Sequence, residues 1–162
     1  HCLKLINRDL FPEVEAALKL LRHMKTRATT DAAAACIEDT TDRMRALHCW
    51  YRTQRNVTAW VAGVHGYLET KDKKVKKESR KLLKEMVLDE IANTKELLVL
   101  WETSKTNWMI LSDVGETTFI YYKNFGEQLK RKIALMKGHE NDEPYVDPDF
   151  QWRVPGFTDA KS

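Results

Sequence analysis

Residues 32–70 read AAAACIEDTTDRMRALHCWYRTQRNVTAWVAGVHGYLET and contain no proline. The segment lies within a longer stretch, from Glu13 to Glu143, that also lacks proline and holds only five glycines. Helix interiors avoid both residues, because proline cannot donate a backbone hydrogen bond and glycine loses much entropy on folding. The sequence therefore predicts an all-α fold: a mainly antiparallel four-helix bundle with two very long central helices and an extended aromatic C-terminal tail.

The segment Ala32–Thr70 is predicted to be a single helix with one packed face. Residues on this face recur alternately every three and four positions, as in helices that pack along a seam. The predicted seam consists of Met44, Leu47, Tyr51, Gln54, Thr58, Val61, His65 and Leu68, with Trp50, Val57 and Val64 beside it.

Three residues of this seam are polar, and each needs a partner if it is buried. We expect His65 to be a core histidine. Gln54 and Thr58 are expected to join a network with Arg52, Arg55 or Glu90, which either fixes the helix register or forms a polar binding groove.

A shorter helix is predicted on the N-terminal side of this segment. It should begin at Pro12, since proline is favoured in the first turn, and the acidic Glu13 and Glu15 suit its positive end. The polar cluster 29–31 is typical of a turn with an N-cap.

Two more helices are predicted beyond the charged connection 71–74. The third runs over about 75–107 and, because the connection is short, lies antiparallel to the second. The fourth begins at Thr117 or Thr118 and ends at Gly138, a typical C-terminal cap. Their packed faces are predicted to be Leu83, Val87, Ile91, Thr94, Leu98 and Trp101 in the third helix, and Phe119, Tyr122, Gly126, Leu129, Ile133 and Met136 in the fourth.

The chain divides into a bundle, 1–138, and a tail, 139–162, that holds three prolines and four aromatic residues. We expect the tail to pack on the bundle. Because the two outer helices are short, half of the central pair, Thr58–Val87, is expected to protrude as a hairpin. Its inward-facing aromatic and apolar residues, Trp60, Val64 and Tyr67, then need cover from the tail or from a partner.

The net charge of +3 conceals one basic segment. Residues 71–84 hold eight basic and two acidic side chains. They give a candidate polyanion site, formed by Lys73, Lys74, Lys76, Lys77, Arg80 and Lys81. The segment lacks interleaved aromatic residues, so a solvated helix start is the alternative interpretation, and nucleic acid is not the expected partner.

Two further features bear on the cellular compartment. No apolar run approaches the ~20 residues that cross a bilayer, so no membrane contact is expected. The three cysteines, Cys2, Cys36 and Cys49, are expected to be free, buried thiols of a protein in the reducing cytoplasm, and a disulfide from Cys2 to one of the other two is the alternative. Since the chain begins at His1 without an initiator methionine, we also expect it to be a piece of a longer protein.

The loop Ser112–Thr118 is the most motif-like part of the chain. It brings carboxylates, hydroxyls and aromatic rings to the start of a helix, and the candidate ligand-binding residues there are Trp108, Asp113, Glu116, Tyr121 and Tyr122. Asp113 and Glu116 suit acid–base chemistry, but capping and loop closure are the preferred interpretation of both residues. The chain has no Glu-x-x-His pair, Gly-rich phosphate loop or Cys-x-x-Cys, so no catalytic residue, metal or cofactor is predicted.

The C-terminal third also carries a resemblance. The run Trp108–Tyr122, the triplet Asn124–Gly126 and the ending Pro144–Arg153 resemble the C-terminal helical region of large bacterial glycoside-hydrolase-like proteins. This resemblance implies an accessory bundle attached to a catalytic barrel, and it carries over no catalytic residue. We therefore expect a non-catalytic interaction or accessory module, whose partner is another domain of a parent protein or a second subunit. The alternatives are a small-ligand binder or enzyme that uses residues 108–122, and a polyanion binder.

Overall fold

The computed structural model describes residues 2–106 and 124–146, and all regular structure within these ranges is helical. The all-α prediction with two long central helices is confirmed. The helices are α1 (Cys2–Leu5), a π-helical turn (Ile6–Leu10), α2 (Phe11–Thr26), α3 (Asp31–Leu68), α4 (Lys73–Thr103) and α5 (Phe125–Met136). The first three segments follow one another without a break and form one outer helix.

The outer helix begins at Cys2, ten residues before the predicted start at Pro12. Pro12 instead follows the π-helical turn, at whose end the Phe11 N–H bonds to the Ile6 carbonyl. A π turn is wider than an α turn and satisfies a carbonyl one residue further back. The chain therefore stays helical at a proline that would otherwise mark a helix start.

The boundaries of α3 follow the local capping signals. Thr30 caps its N-terminus, where the hydroxyl accepts a hydrogen bond from Ala33 N at 3.1 Å, as the polar cluster predicts. The next helix, α4, starts two residues before the predicted Val75, because Asp72 caps it through Lys74 N at 2.7 Å. It ends at Thr103, four residues before the predicted end.

The long helices α3 and α4 are antiparallel, as predicted. Ser104 Oγ at the end of α4 donates to Asp42 Oδ2 near the start of α3 at 2.6 Å. At the other end of the pair, Gly63 of α3 faces Leu83 of α4 so closely that a Cβ on Gly63 would lie 2.6 Å from Leu83 Cγ.

The predicted packing face of α3 is wrong. The residues that face α4, which we call the inner seam, are small or polar: Ala46, Cys49, Thr53, Asn56 and Gly63. The predicted residues point away from α4 and form what we call the outer seam, of which Met44, Tyr51 and Thr58 are half-buried and the rest exposed: Met44, Leu47, Tyr51, Gln54, Thr58, Val61, His65 and Leu68. Leu47, Val61 and Leu68 are 38%, 43% and 47% exposed. Both seams have three–four spacing, and α4 packs on the one whose small side chains permit close approach.

The predicted face of α4 is correct at Thr94, which is buried, while its other five residues are half-buried. The α4 core also takes in polar side chains that the pattern did not mark, Glu90 and Asn93.

The last helix, α5, packs antiparallel against α4. Gly126 lies beside Trp101, whose Cδ1 would be 3.3 Å from an added Cβ, so the predicted close approach at this glycine is confirmed. Gly138 has φ of 89°, the left-handed conformation expected of a helix cap. The predicted start of this helix at Thr117 or Thr118 lies outside the described residues.

The start of the tail covers part of the central hairpin. Asn141 accepts hydrogen bonds from Arg80 at 3.1 Å and Lys84 at 3.0 Å, and Glu143 accepts one from the Tyr67 hydroxyl. Residues 147–162, which hold three of the tail aromatics, lie outside the described ranges.

The protruding part of the hairpin is shorter than predicted. Because the outer helix starts early, Leu3 and Asn7 reach past Thr58 and line a surface pocket with Ala59 and Leu82. Within the predicted Thr58–Val87 range, Val64 is buried, whereas Trp60 is still 47% exposed.

Candidate functional site

Of the two sites predicted from the sequence, only the basic one lies within the described residues. Trp108, Asp113, Glu116, Tyr121 and Tyr122 lie outside the described residues. The basic residues Lys73, Lys74, Lys76, Lys77, Arg80 and Lys81 occupy the first turns of α4 and are exposed, apart from the half-buried Lys76. Lys76 Nζ lies 4.8 Å from the centre of the Tyr67 ring.

A buried carboxylate, Glu90, lies between α3, α4 and α5. Its side chain is 5% exposed. Glu90 Oε1 accepts hydrogen bonds from Thr53 Oγ1 at 2.7 Å and from Lys132 Nζ of α5, and Oε2 accepts one from Asn56 Nδ2 at 2.6 Å. Burying a charge is costly unless it is paired and hydrogen-bonded, and these three donors meet that requirement.

The hydrogen bonds continue along α3. Asn93 Nδ2 donates to Thr53 Oγ1 at 3.1 Å and to the Cys49 carbonyl at 2.9 Å. Thr53 therefore accepts from Asn93 and donates to Glu90. This chain fixes the register of α3 against α4.

A second carboxylate, Asp89, lies on the other side of Asn56. Asp89 Oδ1 accepts a hydrogen bond from Arg52 at 2.8 Å, and Oδ2 accepts bonds from Asn56 at 2.9 Å and from Arg55. Burial, the largest single influence on the pKa of Asp89, raises it. The hydrogen bonds from Arg52 and Asn56 and the two guanidinium charges outweigh burial, so the pKa lies below its ordinary value.

The predicted polar network therefore exists, but with different members. Arg52, Arg55 and Glu90 take part. Gln54 is exposed, and Thr58 donates to its own helix at the Gln54 carbonyl. His65, expected in the core, is exposed and pairs with Glu69 Oε1 at 2.7 Å. These positions of Gln54, Thr58 and His65 have one cause: α3 is oriented with its outer seam away from α4.

A pocket of about 320 Å³ opens beside Glu90, between α3, α4 and α5. Its walls are the apolar side chains Val57, Trp60, Met86, Val87 and Met136. Glu90 and Lys132 contribute the charged part of its lining. This combination of apolar walls with a few converging polar groups is typical of ligand sites.

The outer seam of α3 is the second candidate site. Its positions repeat every seven residues from 44 to 68, the period of helices that pack side by side over their length. Trp50 and Val57, 39% and 52% exposed, widen the face, and the Trp50 ring contacts Tyr51 edge-on with centroids 5.1 Å apart. At ~1.5 Å per residue and a width of ~10 Å, the face covers about 400 Å². The polar Gln54, Thr58 and His65 interrupt this face, so its apolar side chains form two smaller patches, and exposed apolar patches on a protein surface are often functional.

Sequence reasoning missed most members of the polar cluster. Asn56 matches a glycosylation sequon that sequence alone treats as accidental, and its side chain is in fact 2% exposed and bonded to both carboxylates. Lys132 gives no signal, because one lysine on an amphipathic helix usually faces solvent. The inner seam offers the missed signal, since Cys49, Thr53 and Asn56 also follow the three–four spacing.

Comparison of the chain with family models, with curated proteins and with solved structures finds no match. The resemblance of the C-terminal third to glycoside-hydrolase-like proteins therefore stays a prediction. No described helix combines the length and apolarity that crossing a membrane requires. Among the described residues, no three His, Cys, Asp or Glu side chains cluster closely enough to hold a metal ion.

Proposed function

We propose that this chain is a helical protein–protein interaction module that pairs with a second copy of itself through the outer seam of α3. One observation carries the proposal: on the longest helix, a 25-residue face with seven-residue spacing has five of its eight residues exposed and the other three half-buried, while α4 packs on a different face. Such a repeat favours another helix as its occupant.

The order of residues along the outer seam favours a second copy. Its two ends are largely apolar, with Met44, Leu47 and Tyr51 on one side and Val61 and Leu68 on the other, and its centre is polar, at Gln54 and Thr58. The interface of a two-fold dimer must be complementary to itself.

An antiparallel pair of α3 helices meets this condition if its two-fold axis crosses the outer seam midway between Gln54 and Thr58. It places Gln54 of one copy opposite Thr58 of the other and joins the apolar halves. It also brings the exposed Arg43 near the exposed Glu69, so opposite charges meet at both ends. Since each copy offers only about 400 Å², the dimer is expected to be transient rather than permanent.

The oligomeric state of the full chain tests this proposal. Sedimentation equilibrium between about 10 μM and 1 mM should show a monomer–dimer equilibrium. Leu47→Glu or Val61→Glu should weaken it at least about tenfold, equivalent to ~1.4 kcal/mol. The matched controls Leu20→Glu and Leu135→Glu change exposed apolar residues outside the seam, 58% and 64% exposed, and should leave it unchanged.

The antiparallel register has its own test. It places position 51 of one copy opposite position 61 of the other, so the double variant Tyr51→Glu/Val61→Lys should regain the association that each single variant loses. A parallel pair would instead place like charges together and show no rescue. A wild-type chain that remains monomeric up to about 1 mM overturns the proposal, and loss of association in the control variants overturns the assignment to α3.

A further inference from the structure

The pocket beside Glu90 combines apolar walls with a charged pair, and packing alone does not explain why that pair is there. The ion pair Glu90–Lys132 joins a buried carboxylate to a partly exposed ammonium group, and such a pair is weak evidence of a stabilising role, since apolar side chains of similar size often stabilise a core equally well or better. Here the pair, with its partners Thr53 and Asn56, lines one part of a space of about 320 Å³, and the other lining side chains are apolar. This volume lies at the small end of ligand pockets, which run from about 300 to 1,000 Å³.

The chemistry of the pair narrows the ligand class. Glu90 already accepts three hydrogen bonds, from Thr53, Asn56 and Lys132. Lys132 has three N–H donors and, among the described residues, gives only one of them, to Glu90. Its side chain is 37% exposed, so the ammonium group is accessible from the pocket mouth. The polar group of a ligand is therefore expected to be a hydrogen-bond acceptor.

The charge of the ligand is limited as well. Glu90 and Lys132 together are neutral, so a cationic ligand would compete with Lys132 for the carboxylate. An anionic ligand would be repelled by the buried Glu90 charge in a poorly solvated setting. An uncharged carbonyl or hydroxyl oxygen can accept a hydrogen bond from Lys132 without competing for Glu90 and without being repelled by its charge.

We propose that the pocket formed by Val57, Trp60, Val87 and Met136 around Glu90 and Lys132 binds a small, uncharged aromatic or aliphatic molecule that carries one carbonyl or hydroxyl oxygen. The apolar part of the molecule packs between Trp60 and Met136, and its oxygen accepts a hydrogen bond from Lys132 Nζ. The pocket shares Val57 with the edge of the outer-seam face but contains none of the eight seam residues, so binding is expected to persist in the Val61→Glu variant.

Acetophenone and ethylbenzene are suitable probes, because they have nearly the same shape and only the ketone has an acceptor. With ¹³C-methyl methionine labelling, each probe should shift the NMR signals of Met136 and Met86, which line the pocket, and leave those of Met24 and Met44 unchanged. The ketone should bind about tenfold more tightly, as expected for one hydrogen bond to a charged donor.

Three variants complete the test. Lys132→Met should remove the preference for the ketone while ethylbenzene still binds. Val87→Phe should fill the pocket and abolish binding of both probes, and Val57→Phe, at a 52% exposed position, blocks the pocket without disturbing the core if the first variant does not fold. The control Leu135→Phe, on the exposed face of α5, should bind as the wild type does.

Two results would overturn the inference. One is a Met136 NMR signal that neither probe shifts at a probe concentration of about 1 mM, because binding with a Kd in the millimolar range would already be visible at that concentration. The other is probe binding that survives in both pocket-filling variants. Equal affinity of wild type for the two probes would refute the role of Lys132.

Discussion

Asn56 Nδ2 donates to Glu90 Oε2 at 2.6 Å and also to Asp89 Oδ2 at 2.9 Å, so one buried amide bridges two consecutive carboxylates of α4. Asparagine can do this because its amide nitrogen carries two donors and no charge. The contact joins the cluster around Arg52 and Arg55 to the pocket around Lys132.

Replacing this amide with a carboxylate should be strongly destabilising. Asn56→Asp keeps the shape but removes both donors and adds a third negative charge, so we expect a loss of about 3 kcal/mol or more at pH 7. The loss should shrink as the pH falls, because the new carboxyl group, buried between two carboxylates, binds a proton in the folded chain at a higher pH than in the unfolded chain. Urea unfolding at pH 7 and at lower pH measures the loss of unfolding free energy and its dependence on pH. Gln54→Glu, the same charge change at an exposed position of α3, should stay within about 0.5 kcal/mol of wild type.

The close approach of α3 and α4 should depend on Gly63. An alanine Cβ there would lie 2.6 Å from Leu83 Cγ, and overpacking of this kind costs about 1–3 kcal/mol. Alanine recovers up to ~1 kcal/mol through helix propensity, so the net loss for Gly63→Ala should be about 1 kcal/mol. Gly66→Ala is the control, because its Cβ meets only the Ser79 hydroxyl, which can rotate away. Thermal and urea unfolding that rank the two variants in the opposite order would contradict this contact.

The three cysteines should differ in reactivity. Cys49 is fully buried in the inner seam, and burial raises the pKa of its thiol to about 12. Cys2 and Cys36 are exposed, which corrects the expectation that all three thiols are buried. At pH 8, a disulfide reagent such as DTNB should modify two thiols per folded chain and the third only after denaturation. In Cys49→Ala, the folded and denatured chains should give the same count.

Stability should fall on acidification in two separate ranges. Burial, reinforced by the charge of Arg52, lowers the pKa of His48 below its ordinary 6.5 despite the opposing charges of Glu96 and Glu15. The unfolded chain therefore binds a proton at His48 first, and stability declines as the pH drops just below 6.5. The pKa of Asp89 lies below its ordinary 3.8, so the stabilisation from this carboxylate is present above that pH and is lost below it.

Single variants separate the two pH ranges. In His48→Gln, the unfolding free energy should no longer change with pH just below pH 6.5, while its change below pH 3.8 remains. In Asp89→Asn, the change below pH 3.8 should be lost and the change near pH 6.5 kept. This variant should also be less stable overall, because Arg52 and Arg55 lose their shared partner. A wild-type profile that is level between pH 7 and pH 5 would contradict the burial of His48.

The features that sequence predicted correctly are local ones. Thr30 and Gly138 mark helix ends because capping depends on a few neighbouring backbone groups. The lack of proline from Glu13 to Glu143 predicted long helices, because the effect of proline on a helix is also limited to neighbouring backbone groups. The prediction failed at Pro12, where a preceding π turn let the helix continue through a proline.

The packing face of α3 could not be predicted, because the helix carries two seams with the same spacing. Hydrophobicity favours the outer seam, with Leu47, Val61 and Leu68, whereas α4 lies on the seam of Ala46, Asn56 and Gly63. That choice depends on how each face fits a helix far away in sequence. Gly63 makes room for Leu83, and Asn56 supplies the donor that Glu90 requires.

The sequence alone thus determined that the chain forms long antiparallel helices and where several of them begin and end, since backbone propensity and capping act over a few residues. The tertiary structure decided which face of α3 is buried, and with it the cluster of Glu90, Asn56 and Lys132, the adjoining pocket and the exposed outer seam. These features combine residues from three helices, and only close packing brings them within hydrogen-bonding distance.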